Sequence, residues 1–348
     1  MRCRRLLALR PLSTDRRTRA YDLTREGIHA RMTTPQFDPT GVVRLRRHLI
    51  ADGMTDNQIT SLVRAKVLKR IRYGAFVEHA VWDDLAPEDR HRVLARAVLA
   101  RAHTSTALTH VSSIIERGIP LWGFTLDVVH TTRTGPERAG RRQGDWVPHR
   151  GVLGEDDQEE VNGVVISTAA RSAFELTTIS DVERSLVAVN RLLHAGAMTM
   201  ADFMEQVECH QRWPGSLTSD LVLRLADPRL ESVGEDRFSY LAYKQCLPKP
   251  EPQVKVFDED GTLVARVDFA WPDLGVFVEF DGRVKYERYR REGETLDEFL
   301  MREKVREELV CLLTGWTCIR ITWADLARPE RLATRIRRVI AARRKLVA

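Results

Sequence analysis

Apolar residues recur at helical spacing at Val42, Val43, Leu45, Leu49 and Ile50, and Gly53 closes the run, which predicts a first helix. Thr55-Asp56-Asn57-Gln58 then offers capping chemistry to a second helix carrying Ile59, Leu62 and Val63. Residues 68–77 alternate about Gly74 in the manner of a hairpin. In residues 86–215 the pattern changes repeatedly. Helices are expected at 92–102, 106–118, 181–194 and 200–211, and one opens at 168–172 and runs through Leu176; strands are expected at 124–131 and 161–167. From about Ser216 the order is a helix beginning near Gly234, a strand at 253–257, an acidic hairpin, a helix at 295–314, a strand at 317–322 and a basic terminal helix. Helix, three strands, helix, strand, helix predicts an α/β sandwich with a small mixed sheet between helices.

The acidic hairpin holds the most informative chemistry. Val267-Asp268-Phe269-Ala270-Trp271-Pro272 is followed by Val276-Phe277-Val278-Glu279-Phe280-Asp281-Gly282-Arg283-Val284-Lys285-Tyr286. In the second run Val276, Val278 and Phe280 alternate with Phe277, Glu279 and Asp281, so pleating sends both carboxylates to one face. The turn at residues 271–275 folds Asp268 back toward Glu279. Two acids at i, i+2 repel unless compensated. One reading makes Asp268 a turn cap and puts Glu279 and Asp281 on a wet strand face. The other gathers the acids around a hard divalent cation, Mg²⁺ or Mn²⁺, with Lys285 as a nearby positive group.

Net charge is +6, from 55 basic and 49 acidic residues, so placement matters more than size, and much of the excess lies at the two ends. Residues 1–34 are a basic extension expected to be disordered, either a nucleic-acid-binding tail or the product of a start upstream of Met32. The five cysteines, an odd number without a C-x-x-C pair, argue against a disulfide framework or zinc ribbon and predict a cytoplasmic protein. No apolar stretch approaches ~20 residues, so no membrane partner is expected. His103, His110, His130 and His149 lack metal-ligand spacing and read as structural or surface histidines.

Residues 35–85 have the profile of a winged helix. Asn57, Gln58, Ser61, Arg64 and Lys66 would lie on the helix that reads DNA, and Lys69, Arg70 and Arg72 on the wing that meets phosphate. The alternative is a small helical domain for protein contacts. Residues 86–215 form a second, α/β domain and residues 216–348 a third.

The third domain resembles a known family. Gly234-Glu235, Pro248, Gln253, the 267–272 run, Glu279-Phe280-Asp281-Gly282-Arg283, Lys285-Tyr286, Glu303-Lys304, Arg306-Glu307, Gly315-Trp316, Arg320 and Trp323-Ala324-Asp325-Leu326 look like the Vsr-like domain widespread in actinobacteria. That domain is similar to very-short-patch-repair endonucleases of the PD-(D/E)XK superfamily, and the match, over about the last third of the chain, keeps order and spacing. The resemblance implies a restriction-endonuclease-like sandwich, with Asp268 and Glu279 as metal-ligating acids and Glu235 as the acid on the first core helix. Asp281 stands where the superfamily carries a lysine. Lys285 then supplies that cation from the loop beyond, or the site binds metal, with Asp281 as a further ligand, and does not cut. The front part resembles AbiEi-type antitoxins of type IV toxin–antitoxin systems through Gly53, Leu62-Val63-Arg64, Leu68 and Gly74-Ala75-Phe76-Val77. This implies a DNA-binding regulator and a cognate toxin as partner. The expectation is a DNA-binding protein that hydrolyses phosphodiesters with Mg²⁺ or Mn²⁺, with Arg283, Arg320 and the 335–345 helix available to strand backbones. Its rival is a non-enzymatic regulator with a degenerate nuclease-like domain, and the oligomeric state is open.

Overall fold

Short apolar runs pair into three open sheets in a computed structural model that describes residues 38–39, 41–102, 105–135, 142, 144–281 and 293–347. Thirteen α-helices and twelve strands occur among the described residues, a mixed α/β architecture. No helix among them is long and apolar enough to cross a membrane. The basic extension lies outside the described residues.

The first sheet belongs to β1 (Arg44–Leu45), β2 (Leu68–Arg72) and β3 (Ala75–Glu78), with α1 (Arg46–Ala51) and α2 (Asp56–Arg64) beside it. Its order is β1-β3-β2, all antiparallel. Thr55 and Gln58 close a reciprocal capping box on α2. Leu49, Ile59, Leu68 and Phe76 form the core between helices and hairpin. The helical spacing from Val42 is only partly realised. Leu45 pairs with Ala75 in a short ladder, so the helix begins at Arg46.

Next come α3 (His79–Asp84), α4 (Pro87–Leu99), β4 (Thr106–Leu108), α5 (His110–Glu116), β5 (Val129–Arg133), β6 (Trp146–Val152), β7 (Gln158–Val161), β8 (Val164–Ser167), α6 (Ala169–Ile179), α7 (Val182–His194), α8 (Met200–Cys209) and α9 (Ser216–Leu225). The strands form a mixed sheet in the order β6-β5-β4-β8-β7. Residues 106–118, expected as one helix, divide into central strand β4 and helix α5, because β5 and β8 satisfy the β4 backbone from both sides. The strand expected at 161–167 is the end of a hairpin. Asn162 and Gly163 both take positive φ, as a two-residue hairpin turn requires.

The sheet gathers three histidines that the sequence left unrelated, His110 buried and His130 and His149 half-buried. His110 and His149 stack at 3.6 Å between ring centres, and His130 Nδ1 lies 2.9 Å from His149 Nε2. Burial, with the neighbouring imidazoles, pushes His130 down to about 3, and burial pushes His149 down to about 4. His110, buried and beside both, is also held well below its ordinary value. All three are therefore neutral in the folded protein near neutral pH. His103 lies outside the described residues.

The C-terminal sheet comprises β9 (Glu251–Phe257), β10 (Leu263–Trp271), β11 (Val276–Asp281) and β12 (Thr317–Thr322), in the order β12-β11-β10-β9. Only the β11–β12 pair is parallel. The alternation along β10 and β11 divides two cores. Phe269, Trp271, Val278 and Phe280 pack against α10 (Val233–Lys244) and α13 (Pro329–Val347), through Phe238, Leu241, Leu332, Ile336 and Ile340. Ala270 and Phe277 face Val310 on α11 (Leu296–Thr314), on the other side. A four-residue helix, α12 (Trp323–Leu326), joins β12 to α13. Helix α10 comes so close to the sheet that a Cβ on Gly234 would lie 2.1 Å from the Phe280 ring.

Helix α10 is also tied to α7. Asn190 Nδ2 donates to Asp236 Oδ1 at 2.9 Å, Arg191 Nε lies 2.9 Å from Asp236 Oδ2, and Arg237 Nε donates to Glu183 at 2.7 Å.

Two predictions follow from this packing. Gly234→Ala should lower stability by about 1–3 kcal/mol through overpacking against Phe280, measurable as a fall in denaturation midpoint. The histidines give an acid effect of known sign: the unfolded chain takes up protons below the ordinary value of 6.5 while the folded one does not until far lower, so stability present above 6.5 is lost as pH falls toward about 4. Denaturant titrations at about pH 7.5 and about pH 5 should show His149→Gln shrinking that loss by about 2 kcal/mol.

Candidate active site

Strand register assembles the site. Asp268 lies between two paired residues, Val267 with Val254 and Phe269 with Pro252, which sets it opposite Gln253. Phe269 pairs with Val278, so the next position along brings Asp268 opposite Glu279, and Glu279 pairs with Arg320. Gln253, Asp268, Glu279 and Arg320 thus form one transverse row across all four strands.

At this row β10 and β11 part. Their paired residues end at Phe269 and Val278, and the Phe280 N–H beyond donates to Asp268 Oδ2 at 2.7 Å. A carboxylate takes the place of a backbone acceptor. Asp268 and Glu279 are only 8% and 7% exposed, so Glu279 does not lie on the wet strand face that the simpler reading gave it. Asp281, at the end of β11, is half-buried.

Helix α11 closes over the row. Arg306 Nη2 is 3.4 Å from Glu279 Oε1 and 2.9 Å from Glu303 Oε2. Arg320 donates through Nε to Glu307 at 2.6 Å, and its Nη1 lies 3.9 Å from Asp281 Oδ2. Glu303, Arg306 and Glu307 share one face of the helix because they are three and four residues apart, and that face meets the sheet. Apart from its place in the resemblance, Arg306 was marked in the sequence by an i, i+3 Glu-x-x-Arg spacing, which is common on solvated helices.

Glu235 is held elsewhere in the site. Its carboxylate accepts from the Ser232 hydroxyl at 2.5 Å, the Glu231 N–H at 3.0 Å and Gln253 Nε2 at 2.7 Å. Ser232 in turn accepts from the Glu235 N–H, so Ser232 caps the helix that carries this acid. Gln253 joins Glu235 to the row from a left-handed backbone, φ +57°, sparsely populated by side-chain-bearing residues. The row and Glu235 are therefore linked by one amide. Among the described residues, no three His, Cys, Asp or Glu side chains converge as a metal-holding group. Lys285 and Arg283 lie outside the described residues.

The candidate DNA-reading residues are dispersed by their local duties. Asn57, Gln58, Ser61, Arg64, Lys66 and Arg70 are exposed. Gln58 Oε1 is engaged by the Thr55 N–H at 2.7 Å, which ties its side chain to the cap. Lys69 is half-buried over Trp82, and Arg70 lies over Tyr73. Arg72 turns inward, 3.2 Å from Asp145 and over the Trp146 ring, away from the surface where a wing meets phosphate.

Removing Arg306 alone should leave Glu279 buried without that guanidinium. Arg306→Met is expected to cost about 3 kcal/mol, and Arg306→Met/Glu279→Gln to recover most of it, in a denaturant double-mutant cycle.

No family model matches the chain. It is 28% identical over 287 residues to two proteins of Mycobacterium tuberculosis, "Uncharacterized protein MT2308" of strain CDC 1551 / Oshkosh and "Uncharacterized protein Rv2248" of strain ATCC 25618 / H37Rv. Each alignment covers 82% of this chain and 97% of the relative, so the similarity runs through nearly the whole relative.

Proposed function

We propose that the protein binds DNA and that its C-terminal third, residues 216–348, is a restriction-endonuclease-like domain that hydrolyses phosphodiesters with a divalent metal ion. The observation that carries this reading is the row itself: Asp268 and Glu279, neighbours on adjacent strands, are both withdrawn from water where those strands part. A structural role alone seldom places two carboxylates side by side in a sheet interior, because each loses several kcal/mol of hydration, on the order of the whole stability of a small domain.

The residues fit Mg²⁺ or Mn²⁺ in donor type, since both are carboxylate oxygens and one of Asp268's is already oriented by the Phe280 N–H. Asp268 and Glu279 would hold the ion, with Glu235 and Asp281 as the nearby acids the resemblance adds. When bound, such an ion acidifies a water nucleophile and offsets charge on the phosphoryl group. Arg306 pairs with Glu279 and holds its carboxylate on the sheet. Arg320, at the outer end of the row, is placed to meet a phosphate oxygen if it exchanges Glu307 for substrate. Lys285 would serve as the superfamily's lysine.

The expected outcome is conversion of supercoiled plasmid to nicked circles by purified protein with Mg²⁺ or Mn²⁺, slowed at least about a hundredfold by Asp268→Asn or Glu279→Gln. Titration calorimetry should show divalent-ion binding that the double variant loses. Absence of metal-dependent nicking, or equal nicking by Asp268→Asn, would defeat the hydrolytic reading.

A second reading draws on Asp281 at the lysine position and on the engagement of the Glu235 carboxylate by Ser232, Glu231 and Gln253. In it, residues 35–85 act as a winged helix in a regulator of the antitoxin type, paired with a toxin protein, and the nuclease-like domain is a scaffold. Under that reading the Asp268 and Glu279 variants bind DNA like the wild type. Arg64→Gln, on exposed α2, weakens binding and lowers the salt slope by about one.

A further inference from the structure

The terminal helix α13 offers a surface that the row does not use. Seven basic residues, six arginines and Lys345, stand on it against the single acid Glu330, an excess equal to the +6 of the entire chain. Its apolar side is spent: Leu332, Ala333, Ile336 and Ile340 are buried in the core beneath the sheet. The opposite side is exposed and cationic, with Arg331, Arg338 and Lys345 seven residues apart and therefore in line. Arg331, Arg338, Arg344 and Lys345 make no ion pair among the described residues. The burial of the apolar side excludes the way a basic amphipathic helix enters a lipid surface, which needs that side free.

The stripe is joined to the row. Arg335 Nη2 donates to the Arg320 carbonyl at 2.7 Å, and Nη1 lies 3.4 Å from Asp325. Arg320 is the row residue paired with Glu279. Arg337 donates to the Gln245 carbonyl at the end of α10, so the helix is stapled at a second point. Arg335 and Arg337 thus fix the helix, Arg343 packs inward against Gly275, and Arg331, Arg338, Arg344 and Lys345 are exposed.

We infer that the outer face of α13 binds the phosphate backbone of duplex DNA. From Arg331 to Lys345 the stripe spans ~21 Å, the length of duplex axis over which one strand carries about six phosphates at ~3.4 Å of rise each. A line of guanidinium and ammonium groups on a core-anchored helix suits sequence-independent backbone contact, because the helix backbone that spaces them is already ordered. The proposal rests on the reading of the row as a nuclease site for its purpose, but the DNA contact is separable from it.

The test is fluorescence anisotropy of a labelled 20-base-pair duplex against the full chain over a range of salt concentrations. Arg331→Gln/Arg338→Gln/Lys345→Gln should weaken binding at least about tenfold near 0.1 M salt and lower the slope of log K against log salt by about 2–3. Arg150→Gln/Arg212→Gln/Arg224→Gln removes the same charge from exposed positions of the preceding block and should leave the slope near wild type. An unchanged slope in the first triple variant, equal effects in both, or a wild type that does not bind the duplex each overturns the inference. The nuclease reading fails separately: if the first triple variant loses its slope while the wild type never nicks plasmid, the surface stands and the hydrolytic site does not.

Discussion

Two carboxylates lying side by side inside a sheet constrain everything around them. Each has left water, and each needs a hydrogen-bond donor or positive charge close by to offset the lost hydration. Asp268 obtains one donor from the backbone, which is possible only because β10 and β11 separate and release the Phe280 N–H from ladder pairing. Glu279 obtains a guanidinium from a different element, α11, more than twenty residues along the chain. The parting of two strands and the seating of a helix over them are thus two answers to one desolvation problem.

Helix α10 meets that sheet on the opposite core and carries consecutive residues with different duties. Gly234 lets the helix reach Phe280, Glu235 engages Gln253, and Asp236 turns to α7. Successive side chains on a helix point about 100° apart, so three neighbours can address a ring, a strand and a second helix. Burial pushes the Asp236 carboxyl up to about 7 even beside Arg191. The block that precedes the C-terminal sheet is therefore joined to it by a buried polar contact at the very turn of helix that presents Glu235. The stacked histidines form a second polar centre within the middle sheet, where neutral imidazoles pack as flat rings.

Much of the C-terminal architecture was legible in the sequence. Strand β12 and helix α11 match their expected limits closely, because strict alternation and a Thr295/Glu298 capping box mark them locally. The shared face of Glu279 and Asp281, and the return of Asp268 toward Glu279, also follow from pleating and a turn. Elements that depend on distant partners were less legible. Three-residue β4 is too short to show a period and exists because β5 and β8 flank it, and helix α9 carried no capping signal strong enough to separate it from its neighbours.

By itself the sequence determined the periodicities, the caps, the acidic hairpin and the concentration of arginine on the last helix, since these rest on local geometry and counting. Tertiary structure decided which charges meet. It turned Arg72 inward to Asp145, set Arg306 over Glu279, tied Glu235 to Gln253 and stacked three histidines from separate strands and a helix. Such choices depend on strand register and on which face of a helix loses water, quantities fixed only when remote segments pack together.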